Sequence, residues 1–202
     1  MTDMEGNDMS VGHEHGSDHG HIGSENKKIA LLIAVLALVL ALSEALGKGA
    51  QTGALGDNIE AANLWAFFQA KTIRLTTVRT AAEAFETQLA LVGDAGTRSA
   101  IETRIADWKK TAARYDSEPE TREGRKELSE RARTAEARRD RSLAAYHQYE
   151  VASAAAQIGI VLASAAIITG MAVFVWIAGA FGAVSVVFCA IGLVAPAAIH
   201  LF

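Results

Sequence analysis

Cysteine occurs once, as Cys189, inside an apolar stretch. Neither a disulfide framework nor a cysteine metal site can be built from it. Proline occurs only at Pro119 and Pro196, so the strongest helix breaker is absent from most of the chain. There is no phosphate-cradling glycine loop, no H-E-x-x-H, no nucleophile elbow and no cysteine pair. After residue 26 only His147 and His200 remain as histidines, which leaves few candidates for a general base. His147 lies between Tyr146 and Tyr149, and a packed or interfacial role is the expected one. A concentrated basic patch is also missing: residues 47–150 mix 17 basic with 16 acidic side chains. Nucleic acid, which demands such a patch, is not an expected partner. No enzyme is expected.

What the chain does have is segregation. Hydrophobic residues make up 50% and charged residues 21%, but residues 29–46 and 151–202 hold almost no charge while 57–150 is crowded with it. A water-exposed insert in a membrane protein has this pattern. A largely apolar run of eighteen residues, 29–46, follows Asn26-Lys27-Lys28 and reaches roughly 27 Å as a helix, just adequate for a hydrocarbon core. A long charged leader, a long apolar run and no crisp A-x-A site favour a retained anchor over a cleaved signal. Glu44 and Lys48 lie four residues apart at the end of this segment, in the favourable order for an interfacial ion pair. Residues 47–56 hold four glycines and read as a hinge or a weak helical link.

From Asp57 the spacing of Leu64, Phe68, Leu75, Val78, Ala82, Phe85, Leu89 and Val92 makes a coiled-coil-type seam. Lys71 is its one polar intrusion, a device that can set register or oligomer state at some cost in stability. Residues 93–96 supply turn chemistry, and Thr97 is positioned to cap a second helix with seam Ile101, Ile105, Trp108, Ala112 and Tyr115. Pro119 breaks that helix. A third helix from Glu120 carries a thinner seam (Leu128, Ala132, Ala135, Arg139, Ser142, Tyr146, Tyr149, Ser153) and meets no Gly or Pro between Arg125 and Gln157. It is expected to run without interruption to Ala178, on the order of 90 Å. Residues 179–183 are the expected turn before a last span, 180–202. Gly159/Ala163 and Ala166/Gly170 are small-xxx-small pairs for close helix packing.

The expected organisation is therefore all-α. Residues 1–28 form a disordered tail; 29–46, 151–178 and 180–202 are transmembrane helices. Between the first and second spans sits an antiparallel, coiled-coil-like helical hairpin, 47–150, with helices at about 57–92, 97–116 and 120–150. The positive-inside rule leans toward a cytoplasmic hairpin, because Lys48 and Arg131, Arg133, Arg138, Arg139 and Arg141 outnumber Lys27 and Lys28. Lys27 and Lys28, abutting the first span, argue the other way.

Two groups of side chains are candidates for chemistry or recognition. His13, His15, His19 and His21, with Glu14 and Asp18 nearby, offer imidazoles suited to Zn, Cu or Ni. They sit in a glycine-rich chain with nothing to orient them, so a solvated spacer or loose divalent-metal binding are both open, and no other cofactor is expected. Trp65, Phe67 and Phe68 read as hairpin core, an interfacial belt or a docking surface, and the flanking Asn58, Glu60, Asn63, Gln69, Lys71 and Arg74 as a solvated face or part of that surface.

The runs NIEAANLWAFFQAKTIR (58–74) and KKIALLIAVLAL (27–38) resemble an uncharacterised family of bacterial inner-membrane proteins, domain-of-unknown-function family 4337. So do TAARYDSEPETREGRKEL (111–128) and AYHQYEVASAAAQIGIVLASAAIITG (145–170). The resemblance covers nearly everything after residue 26, and W-A-F-F-Q-A-K is its most specific element. It implies a bacterial source, a multi-pass inner-membrane location and no assigned activity. The expectation is a non-enzymatic scaffold whose partners are the bilayer and either a second copy or another protein. The alternative is a channel or a metal- or pH-responsive membrane protein using Glu44 and the His cluster.

Overall fold

The computed structural model describes residues 24–198. They form four α-helices, α1 (Ser24–Leu89), α2 (Ala95–Asp116), α3 (Arg125–Thr169) and α4 (Ala172–Val194), and a closing 3-10 turn, Pro196–Ala198. Three of them, α1, α3 and α4, contain segments long and apolar enough to cross a membrane. The tail histidines His13, His15, His19 and His21, and His200, lie outside the described residues.

α1 is one helix of 66 residues, about 99 Å long. The glycine-rich stretch 47–56 is helical throughout, so of the two readings, hinge or helical link, it takes the second. Tertiary packing overrides the weak propensity. Gly47 and Gly53 face α3, where an added Cβ would lie 3.4 Å from the Tyr149 Cβ and 3.7 Å from the Ser142 hydroxyl. These two glycines let two backbones approach.

α2 and α3 run antiparallel to α1 and divide its length. α2 lies along the far end, where Trp108 meets Phe85 edge-to-face at 5.0 Å and Lys109 pairs with Glu86 at 2.5 Å. α3 takes over from the level of Phe68 inward, with Leu128, Ala132 and Ala135 packed on Ala61 and Leu64. Leu75, Ala82, Ile105, Ala112, Leu128 and Tyr149 are buried, and their seam neighbours Phe68, Val78, Phe85, Trp108 and Tyr115 are partly so. The three seams are thus the contact faces.

Several boundaries differ from those read in the sequence. α1 ends at Leu89, and Asp94 rather than Thr97 caps α2, accepting from the Thr97 amide at 2.7 Å. That bond holds the Asp94 carboxyl below the usual range. α3 starts at Arg125, because residues 117–124 fold as turns, and ends at Thr169. It is therefore about 68 Å long, not about 90 Å. The turn between the last two helices is Gly170-Met171, not 179–183, so α4 covers 172–194 instead of 180–202. Gly170 closes α3 in the left-handed region (φ 68°) and donates its N–H to the Ala166 carbonyl, a geometry glycine enters without Cβ strain. It is thus a cap, not the packing glycine expected.

Gly179 and Gly182 stay helical within α4. An added Cβ at Gly182 would lie 2.8 Å from Leu36 Cδ2, and one at Gly159 of α3 would lie 3.1 Å from Leu36 Cδ1. Leu36, 1% exposed, is a knob set into a notch made by two glycines on two helices. Tyr149 is a second knob, with its ring over Gly192 of α4 and its Cβ against Gly47 of α1. Between the two knobs, Ala152, Ala155 and Ala156 are buried, and Ser185 of α4 donates to the Ala152 carbonyl at 2.6 Å. Small residues let the helices close on one another without cavities.

Gly182→Val is expected to cost about 1–3 kcal/mol by overpacking the Leu36 notch, read as a lower unfolding midpoint in detergent. Gly179→Val, on the same helix with open space around its Cβ, should leave that midpoint unchanged.

Candidate functional site

Two regions gather the polar side chains that this frame positions. The first is a buckle where the returning limb breaks between α2 and α3. Lys71 reaches it from the α1 seam with a side chain only 8% exposed. Its ammonium lies 3.9 Å from both the Glu118 and Glu123 carboxylates and over the rings of Phe67 and Tyr115 at 5.5 and 5.4 Å. A lysine is costly to bury alone, and two carboxylates and two aromatic faces offset that cost.

Residues 117–124 are tied down on either side of this lysine. Ser117 donates its hydroxyl to Glu127 at 2.6 Å, and the Glu118 amide donates to the same carboxylate at 3.1 Å. Arg114 donates two hydrogen bonds to Glu118. These contacts hold Glu118, chiefly through Arg114, and Glu127, chiefly through the Ser117 hydroxyl, below the usual glutamate range. Arg122 stands at φ 58°, a strained backbone for a residue with a side chain. Its carbonyl accepts from Arg131 and its amide donates to Glu118. Gly124 caps α3 where no side chain fits: a Cβ would lie 2.6 Å from Ser117 Cα and closer still to the Glu118 amide nitrogen.

The aromatic and polar set nominated by sequence divides between core and surface. Trp65 and Phe68 pack on the Ala61–Leu128 cluster, meet each other edge-to-face at 5.4 Å, and are anchored by Trp65 donating to Glu136 at 2.8 Å and by Arg125 over Phe68 at 5.2 Å. Glu60 and Asp57 both accept from Arg138, at 2.5 and 2.9 Å, which keeps that guanidinium firmly protonated, and Asn58 accepts from Arg139 at 3.3 Å. Asn63, Phe67, Gln69 and Arg74 are exposed. Glu118, Glu123, Tyr115 and Gly124 were not nominated. Pro119 marked the break, but nothing local in the sequence tells which α1 residue stands opposite it.

The second region is an open cleft of about 310 Å³ where α1 and α3 leave their apolar stretches, lined by Ser43, Glu44, Gly47, Lys48, Gln51, Tyr146, Tyr149, Glu150 and Ser153. The ion pair expected between Glu44 and Lys48 does not form. Glu44 instead accepts from Gln157 of α3 at 3.4 Å, because the α3 surface brings an amide to the carboxylate. Tyr146 donates to Glu150 at 3.1 Å, which pushes the phenol pKa up. His147 Nδ1 lies 3.6 Å from the same carboxylate. Of the packing pairs, Gly159, Ala163 and Ala166 are buried. No group of three or more metal-ligating side chains gathers among the described residues.

An all-helical chain with three helices able to cross a membrane, extended by a polar, buckled pair of limbs, is the class these features define. The chain belongs to the family described as a domain of unknown function (DUF4337), whose model matches residues 25–195. That match takes in both the buckle and the cleft and leaves out the His13–His21 tail. Comparison with curated proteins and with solved structures finds no match.

Gly124→Ala should destabilise the limbs by about 1–3 kcal/mol, read as lowered helicity on heating, whereas Gly93→Ala, with open space around it, should not. Because the Glu118 and Glu127 carboxyls are depressed, their stabilisation is complete above the ordinary glutamate range and is lost as pH falls through their lower folded values. Amide exchange at 117–127, corrected for intrinsic rates, should therefore accelerate in that acid window. Glu127→Gln should reduce the pH dependence and leave the part that Glu118 and Arg114 contribute.

Proposed function

We propose that the chain is a non-enzymatic scaffold anchored in a bacterial inner membrane by α1, α3 and α4, which self-associates through its projecting helical hairpin. The outward faces of the three apolar segments support the bilayer placement. Leu31, Leu38, Val161, Ile168, Trp176 and Val194 are all more than half exposed, a surface that lipid accommodates and water does not. The arginines of α3 that precede its apolar stretch, Arg131, Arg133, Arg138, Arg139 and Arg141, favour a cytoplasmic hairpin.

The observation that carries self-association is a second apolar stripe on α1, opposite its seam. Leu55, Ile59, Ala62, Ala66 and Ile73 recur every three, four or seven residues and are exposed, with Leu55 at 60% and Ile73 at 67%. Thr77 and Thr80 extend it. The occupant that fits is a second copy. Two copies in one membrane stand parallel and at equal height, so each stripe residue meets its own counterpart. Any charge on the stripe would then face a like charge, and from Leu55 to Thr80 the stripe has none. Asn63 and Gln69, which border it, can hydrogen-bond to their own copies.

With Cys189→Ser as background, Ile59→Cys and Ile73→Cys should each give an oxidative dimer in native membranes. Ala137→Cys, on the exposed face of α3, should remain monomeric. Monomer at all three positions would remove the self-association reading. Release of the chain by alkaline carbonate would remove the bilayer reading.

A further inference from the structure

We infer that the cleft between α1 and α3 is a binding site for a zwitterionic phospholipid headgroup carrying a primary ammonium, the phosphoethanolamine type. The inference rests on the bilayer placement proposed above. It starts from an unsatisfied group: Ser43 lines the cleft, is fully buried, and its hydroxyl has no hydrogen-bond partner. A buried hydroxyl left unpaired costs free energy that a ligand oxygen would recover.

The charges around it are complementary to a ligand with two signs. Lys48 makes no ion pair among the described residues, although Glu44 is four residues away on the same helix. Lys48, with Gln51 and the Ser43 hydroxyl, offers donors to a phosphate. Glu44 and Glu150 offer carboxylates to an ammonium, and Tyr146 and Tyr149 add aromatic surface beside them. A primary ammonium donates hydrogen bonds to both carboxylates, which a quaternary choline cannot do. An anionic headgroup would satisfy Lys48 but bring further negative charge to the two glutamates. The volume of about 310 Å³ lies at the small end of ligand sites.

Position selects the source. The cleft spans 43–51 on α1 and 146–153 on α3, where both helices pass from apolar to charged sequence. That is headgroup depth. An acyl chain leaving such a headgroup would follow the exposed apolar faces of the same helices.

The full chain in nanodiscs of defined composition tests this directly, with bound lipid read by native mass spectrometry. Phosphatidylethanolamine should be retained over phosphatidylcholine and phosphatidylglycerol. Glu44→Gln and Lys48→Gln, both near-isosteric and exposed, should each weaken retention roughly tenfold or more, the effect of losing one hydrogen bond to a charged group. Circular dichroism should show unchanged helicity in both variants. Equal retention of the three lipids, a preference for phosphatidylglycerol, or retention unaltered by both variants would overturn the site. Binding of soluble phosphoethanolamine without any lipid preference would overturn the bilayer as its source. Alkaline carbonate extraction tests the bilayer placement without involving Glu44 or Lys48, so failure of that placement is separable from failure of the site.

Discussion

Close approach of α3 to its two neighbours is the constraint on which the rest of the molecule depends. α1 and α4 touch each other little, and α3 holds both. It does so with small side chains, so that two large ones, Leu36 and Tyr149, have somewhere to go. In the bilayer proposed for these segments no hydrophobic effect drives helices together, and dispersion between well-fitted surfaces must do the work. A glycine opposite each knob brings more atoms into contact range at no cost in cavity. The same contact keeps α1 helical across residues 47–56, whose glycines in isolation would fray.

Away from the apolar segments the problem changes. There α1 has a continuous seam, but its return limb is in two pieces, and the junction has to be held at one height. Lys71 does this by being the one seam residue that a continuous apolar partner could not accept. It finds carboxylates and aromatic rings only where the limb breaks. Burying a charge rarely adds stability over a well-packed apolar residue, but it penalises every misaligned register heavily. Glu127 and Gly124 then shape the link so that Glu118 faces inward.

The helical class, the three apolar segments and all three seams were legible in the sequence, since periodicity needs only local spacing. Glycine was the ambiguous letter. Gly170 and Gly182 look alike in sequence, yet one caps a helix and the other receives a side chain from α1. The difference lies in what stands opposite, which no local pattern records. The same holds for Gly47 and Gly53. Lys71 stood out as an intrusion, but its partners are distant in the chain and joined through an irregular link. Glu44 and Lys48 had the right spacing for a pair, and α3 supplied Gln157 instead. The outer stripe of α1 escapes a seam reading because alanine and threonine make up half of it. The family match speaks to kinship over residues 25–195 and is silent on activity.

An unbroken α1 makes the molecule a lever. About 43 of its residues, 47–89, lie beyond the apolar segment, a reach of about 65 Å at helical rise. Transmembrane helices adjust their tilt to bilayer thickness. Without a joint at 47–56, a tilt change of about 10° at the base would carry the tip sideways by roughly 11 Å. Under the bilayer placement proposed, thickness, a property of the lipid alone, is thereby geared to position far out in the aqueous phase.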